Sequence, residues 1–176
     1  MKNRTYTQTN FESCLPVCLL LLTNKKFSKL GELNLTIAGI KASRTSYAIG
    51  MLDIFTKKYK LYIDVYVDNK YFLKVLNKEL LRLNNRYINL AHKTINKKTI
   101  MLEPTPYILY VDHHDLGVYS HVPHFIIVSK KSGNNFIIFD PWTGKRKKVN
   151  LKLINKSVVS LKNHIKYCPL LIKIVA

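Results

Sequence analysis

The sequence predicts an α+β fold. Helical periodicity crowds the first half of the chain, β-rich apolar runs crowd the second, and a glycine-asparagine turn joins two of those runs. At 176 residues the chain fits one domain, with a helical half over about residues 1–99 and a sheet half over about 100–176. Residues 1–12 are polar and read as extended or coil. Ser13 is a good N-cap for a buried helix running to Leu22, and Pro16 is tolerated in its first turn, where an N–H has no partner to lose. Thr23 to Thr36 reads as turn. Arg44 to Lys58 carries Tyr47, Ile49, Met51, Leu52, Ile54 and Phe55 near helical spacing, with Thr45 or Ser46 as cap.

Lys60 to Val67 alternates as a strand does, with Leu61, Ile63, Val65 and Val67 on one face. After the turn Asp68-Asn69-Lys70, the stretch Tyr71 to Leu83 sets Phe72, Val75, Leu76, Leu80 and Leu83 along one helical stripe. Arg86 to Ala91 reads as helix and the residues up to Thr99 as loop. Strands are predicted at Tyr107–Val111, Phe125–Ser129 and Asn135–Phe139, the last two joined by the hairpin signal Gly133-Asn134-Asn135. Val149–Leu153 and Leu170–Val175 are expected as further strands, which makes the predicted sheet antiparallel.

Composition sets the limits on function. The formal net charge is +19, from 29 Lys and Arg against 10 Asp and Glu. Such an excess suits a polyanion partner such as nucleic acid. The basic residues are mostly scattered lysines, however, and the accompanying richness in Asn, Ile and Tyr suits an A/T-rich genome. The tightest basic runs, Lys145-Arg146-Lys147-Lys148 and Lys57-Lys58, lack interleaved aromatics. Three cysteines argue against a disulfide framework and for a reducing compartment. The apolar run Leu15–Leu22 is too short for a membrane span, and its flanks do not make a signal peptide. The expectation is a soluble, cytoplasmic or intracellular protein with no membrane span.

Cys14 opens the first helix, where unpaired N–H groups and the helix dipole favour an anion. A thiol there is expected to have a lowered pKa and to serve as a nucleophile. His124 opens the strand that follows Pro123, so its ring can face a helix terminus from the end of a sheet. Asp140 closes the partner strand of the same hairpin and can accept the imidazole N–H, fixing the tautomer whose other nitrogen acts as base. Gln8 lies just upstream of the helix, where its amide and the Cys14 N–H can both donate to an oxyanion.

The order Gln, Cys, His, Asp is that of papain-like cysteine peptidases. Gln8-Thr-Asn-Phe-Glu-Ser-Cys14-Leu-Pro-Val-Cys18 resembles the opening motif of the bacteriocin-processing, double-glycine leader peptidases and their stand-alone relatives. His124-Phe125 and Phe139-Asp140-Pro141-Trp142-Thr143-Gly144 are similar to that family's His-Phe-Val-Val strand and Asp-Pro-x-x-Gly turn, and Arg44-Thr45-Ser46-Tyr47 to its Gly-Thr-Ser helix start. The resemblance covers roughly residues 6 to 150. It implies a papain-like fold, a peptide or protein substrate and hydrolysis by Cys14, His124, Asp140 and Gln8, with neither cofactor nor metal. Leu15 stands where the family usually has Gly, which is expected to narrow the cleft. Pro123 and Trp142, beside the base and the carboxylate, are the other expected substrate contacts. Ser13 stands where the family usually has Asp.

The same residues admit other functions. An acyltransferase would use the same site. A catalytically silent relative would bind a polyanion or peptide through its basic surface. The stretch with Asp112, His113, His114, Asp115, His121 and His124 has metal-binding side chains, but their spacing matches no helical zinc motif and strand alternation would scatter them. Asp112 to Val122 is therefore expected as a loop bordering the cleft. Cys18 is expected in the core beneath the nucleophile, and Cys168 as structural.

Overall fold

The computed structural model describes residues 6–25, 28–117 and 120–175. Its architecture is α+β: a seven-stranded mixed sheet with helices on both faces. The helices are α1 (Cys14–Leu22), α2 (Lys29–Ala42), α3 (Tyr47–Tyr59), α4 (Lys70–Leu83), α5 (Lys97–Leu102) and α6 (Leu151–Asn163). The strands are β1 (Tyr62–Val67), β2 (Ile88–His92), β3 (Tyr107–Asp112), β4 (Pro123–Ser132), β5 (Asn135–Asp140), β6 (Lys145–Asn150) and β7 (Leu170–Val175). They lie in the order β2-β1-β7-β3-β4-β5-β6. Pairing is antiparallel except between β1 and β2, which are parallel. Among the described residues no helix is long and apolar enough to cross a membrane.

Strand alternation splits the core into two layers. On β3 and β4 the residues Ile108, Tyr110, Phe125 and Ile127 face the layer of α1, α3 and α4, together with Cys14, Leu19, Phe55 and Leu76. Leu109, Val111, Ile126 and Val128 face the layer of α6 and α5, with Ile100, Ile154 and Val158. The central strands are covered on both faces and accordingly read as continuous apolar runs.

Several expected elements differ. The segment Thr23–Thr36, expected as turn, contains most of α2, which starts at the Ser28 cap, where the hydroxyl accepts the Gly31 N–H. Its pattern is weak because Gly31, Asn34, Thr36 and Gly39 dilute the apolar stripe. Arg86–Ala91, expected as helix, instead supplies β2, a half-exposed edge strand whose alternation is blunted. Val149–Leu153, expected as strand, spans the end of β6 and the start of α6; the Asn150 side chain accepts the Leu153 N–H and turns the chain into helix. The division into a helical half and an antiparallel sheet half is corrected with it, since β1 and β2 join the sheet and α6 covers it.

Two caps also move. Asn10, and not Ser13, caps the chain entering α1: it accepts from Glu12, while the Ser13 hydroxyl accepts the Asn10 N–H. Ahead of α3, the Ser43 hydroxyl accepts the Thr45 and Ser46 N–H groups, and Ser46 forms no cap bond of its own.

Where α2 crosses α3, backbone meets backbone. A Cβ on Gly39 would lie 2.7 Å from the Met51 Cα, and one on Gly50 would lie 2.0 Å from the Gly39 oxygen. Only a hydrogen fits at either position. Glu79 of α4 ties that corner down: Arg82 binds both of its oxygens at 2.8 and 3.1 Å, and the Arg44 N–H adds a third bond at 2.8 Å. The basic run on the edge strand β6 has a local use as well. Exposed Lys145 and Lys148 keep that edge from pairing with other chains, while Lys147 turns inward to the Leu116 carbonyl.

Candidate active site

Helix α1 packs against β4. Its first residue, Cys14, is 1% exposed, and its thiol lies beside the N–H of Phe125, the residue after His124. One turn on, the buried Cys18 thiol donates to the Phe125 carbonyl at 3.6 Å, as expected of a core residue. The two cysteines thus contact the two backbone polar groups of Phe125.

The hairpin brings His124 and Asp140 together. His124 Nε2 lies 3.1 Å from Asp140 Oδ1. Asp140 also accepts from the Trp142 N–H at 3.0 Å and the Thr143 hydroxyl at 3.1 Å, so the Asp-Pro-Trp-Thr-Gly turn that follows β5 is built around its carboxylate. The N-terminal segment lies across this turn. Gln8 donates its backbone N–H to the Pro141 carbonyl at 2.9 Å, and the Phe11 and Trp142 rings meet at 4.8 Å. Gly144 adopts φ +65°, and a Cβ there would strike Thr7 and Tyr6.

His113 completes the cluster and was not assigned a role from the sequence. It follows β3, is fully buried, and its ring stacks on that of His124 at 4.2 Å and 22°. Its Nε2 lies 3.1 Å from Asp140 Oδ2, and Lys147 Nζ approaches the same oxygen at 3.4 Å. One carboxylate therefore serves two imidazoles and an ammonium. An ionised carboxylate only accepts, so each Nε2 must carry the proton and each Nδ1 is left as a lone pair. The His124 lone pair can accept a proton. The His113 one is a buried nitrogen with no hydrogen-bond partner among the described residues. The signal in the sequence was a histidine just after a strand: β3 pairs with β4 in the register Val111↔His124, so His113 emerges beside His124.

Electrostatics reinforce this assignment. Burial works to raise the Asp140 carboxyl, but the bonds from His113 and His124 outweigh it and hold the group well below the usual carboxylate range. Burial lowers the His124 pKa; Asp140 works against that and the neighbouring His113 adds to it, so the neutral ring is favoured. Cys14 departs from the expected lowered pKa. Burial pushes its thiol up to about 11, and the N–H groups of Phe125 and Leu15 only partly offset the effect. Desolvation outweighs the helix terminus, so thiol and imidazole are both neutral at rest. Among the described residues no hydrogen bond joins the Cys14 sulfur to His124. The thiol lies on the α1 side of β4 with Phe125, whereas alternation turns His124, the second residue of β4, to the other side.

Gln8 donates its side-chain N–H to the Asn10 carbonyl at 2.8 Å, and its Oε1 is buried without a partner. Leu15 is corrected as a cleft residue: it is 0% exposed and belongs to the core. Pro123 and Trp142 are half-buried.

The histidine-rich stretch divides as alternation requires, and β3 takes in its first residue, Asp112. His121 stacks between His114 and His164 and binds buried Asp112 at 2.6 Å. His113, His124 and Asp140 place a donor atom each within 4.8 Å of one another, close enough to hold a metal ion. Metal binding would move the His113 proton to Nδ1, a buried site with no acceptor, so the donor chemistry fits a hydrogen-bonded triad better. Burial raises the pKa of half-buried Cys168, which lines a groove with Asp68, Asn69 and Lys162. No family model matches the chain, and no curated protein matches it.

Proposed function

We propose that the protein is a papain-like cysteine peptidase in which Cys14 attacks, His124 is the base and Asp140 orients it. One observation carries this reading: Asp140 holds the Nε2 of His124, which frees Nδ1, on the same β4 residue pair that the Cys14 helix terminus abuts. A helix headed by cysteine, packed on a sheet whose hairpin supplies His and Asp, supports the papain-like assignment. The resemblance of the Gln8–Cys18, His124-Phe125 and Asp140–Gly144 motifs to leader peptidases supports it further.

The chemistry starts from the neutral pair. The reaction requires the start of β4 to rearrange so that Nδ1 reaches the thiol; the proton then passes to His124, and the thiolate adds to the peptide carbonyl. The Cys14 N–H and the second amide hydrogen of Gln8 donate to the oxyanion. His124 then protonates the leaving amine, and water hydrolyses the thioester.

The buried, neutral Cys14 thiol favours a second reading, a catalytically silent fold that binds peptide or polyanion. Digestion of a peptide library, followed by mass spectrometry, separates the two. Wild type is expected to cut, and C14A to lose at least about a thousandfold in rate. Equal cleavage by C14A would remove Cys14 from the chemistry, and no cleavage by either would favour the silent fold. Incorporation of a labelled amine into products would instead mark an acyltransferase.

A further inference from the structure

A groove of about 760 Å³ opens on the α1 side of the sheet, between the start of α3, the start of α4 and the segment that leads into β7. Its floor is aromatic. Tyr110 stacks on Phe125 at 4.1 Å and on half-exposed Tyr167 at 6.4 Å, so a row of rings runs from the groove to the strand headed by His124. The Tyr47 and Tyr110 hydroxyls meet at 3.4 Å, and both phenols feel the Cys14 sulfur electrostatically. The groove therefore shares its Tyr47 and Tyr110 wall with the core that holds Cys14, which is itself buried and does not line the groove.

The charge in the groove is one-sided. Arg44, Lys162 and Lys166 line it against a single acid, Asp68. Lys162 is committed to Asp68 at 2.8 Å, and Asp68 also accepts from the Ile95 N–H. Arg44 and Lys166 are exposed and form no salt bridge among the described residues. Two uncommitted cations thus flank an aromatic floor.

We infer that this groove selects an acidic peptide segment, with carboxylates set on Arg44 and Lys166 and apolar side chains on the Tyr110 and Tyr167 rings. The inference names the substrate class for the peptidase site proposed above and rests on that reading for its place in the reaction. Peptide fits better than nucleic acid because two free cations would neutralise only about two phosphates, a weak footprint, whereas carboxylates can be spaced to match them singly.

Binding is measured on the full C14A chain, which cannot turn over. Fluorescence anisotropy compares a labelled octapeptide that alternates Glu with Leu and Phe against its Lys counterpart. The acidic peptide is expected to bind at least about tenfold more tightly. R44E and K166E should each weaken it by about fivefold or more, while K148E, on the exposed β6 edge, should change it by less than about twofold. Circular dichroism establishes that each variant is folded, and R44Q and K166N serve if a reversal is not. Equal affinity for the two peptides, or an effect of K148E matching those of R44E and K166E, would overturn the inference. So would a deoxythymidine oligonucleotide that displaces the peptide and binds more tightly. Wild type that binds the acidic peptide without cutting it sinks the peptidase reading and leaves the groove assignment standing. Cleavage without acidic preference does the reverse.

Discussion

At the scale of single residues, the site turns on how one carboxylate is shared. Asp140 bonds both imidazoles at 3.1 Å, and the rings stack at 4.2 Å, so protonating either ring places a positive charge against the other. Lys147 stands on the far oxygen, and the Cys14 thiol lies across β4. His113 is thus a positioning residue: it holds the second oxygen of Asp140 and makes His124 harder to charge. The proposed reaction requires neutral His124, so its rate should be lost as pH falls through the pKa of that ring. Removing His113 removes a neighbour that disfavours the charged ring, which should raise that pKa and move the acid limb of the kcat/KM profile to higher pH. H113F, which keeps an aromatic ring against His124, should show this shift with kcat at the plateau reduced only moderately; an unmoved acid limb would assign His113 to packing alone. The His124–Asp140 pair was legible in the sequence because chain order and hairpin pairing alone bring the two together. His113 was not, because its role depends on a cross-strand register. The raised Cys14 pKa was not either, because it comes from burial.

At the scale of elements, legibility followed how far a local pattern outweighed its context. The stripe of α4 and the hairpin of β4 and β5 were plain. The α6 pattern, Leu151, Ile154, Val158 and Leu161, was also in the sequence, but the strand-like alternation of Val149, Leu151 and Leu153 masked it until the Asn150 cap is considered. Helix α2 was hidden for the opposite reason. Its weakest residue as a helix former, Gly39, is the one its partner helix demands. G50A should therefore behave as an overpacking substitution despite the higher helix propensity of Ala, with a loss of about 2 kcal/mol or more. G133A serves as comparison, because its Cβ would meet nothing within 4 Å and only its φ of +56° opposes the change. Thermal unfolding of the two variants checks this: G50A should melt well below G133A, and the reverse order would mean that α2 and α3 do not cross as closely as described.

For the whole molecule, the +19 charge means that the few acids matter individually. Glu79 is held down to about 2, chiefly by its bonds from Arg82, against an ordinary 4.5. Asp140 is held well below the usual range, and Glu103, between Lys93 and Lys173 at 2.5 and 2.7 Å, is lowered as well despite its burial. A carboxyl with a depressed folded pKa stabilises fully above its unfolded value and loses that contribution as pH falls through the folded one. Buried His124, lowered from 6.5, adds an earlier loss of the same sign. Urea midpoints should decline gently below about pH 6.5 and steeply from about pH 4.5 towards 2, with the steep part reduced in E79Q. A midpoint that stays level across that lower range would show that these ion pairs do not hold the fold. The same charge excess frames the groove at Arg44 and Lys166, where two cations lack partners that the rest of the surface need not supply.

The most direct test of the peptidase account is the reaction of the intact protein with a peptidyl vinyl sulfone, read by mass spectrometry with mapping of the adduct. A single adduct is expected on Cys14, formed by wild type and lost or strongly slowed in H124A, with Cys18 and Cys168 unlabelled. Labelling of Cys14 that proceeds equally fast without His124, or no labelling of Cys14 at all, would contradict a working thiol–imidazole pair.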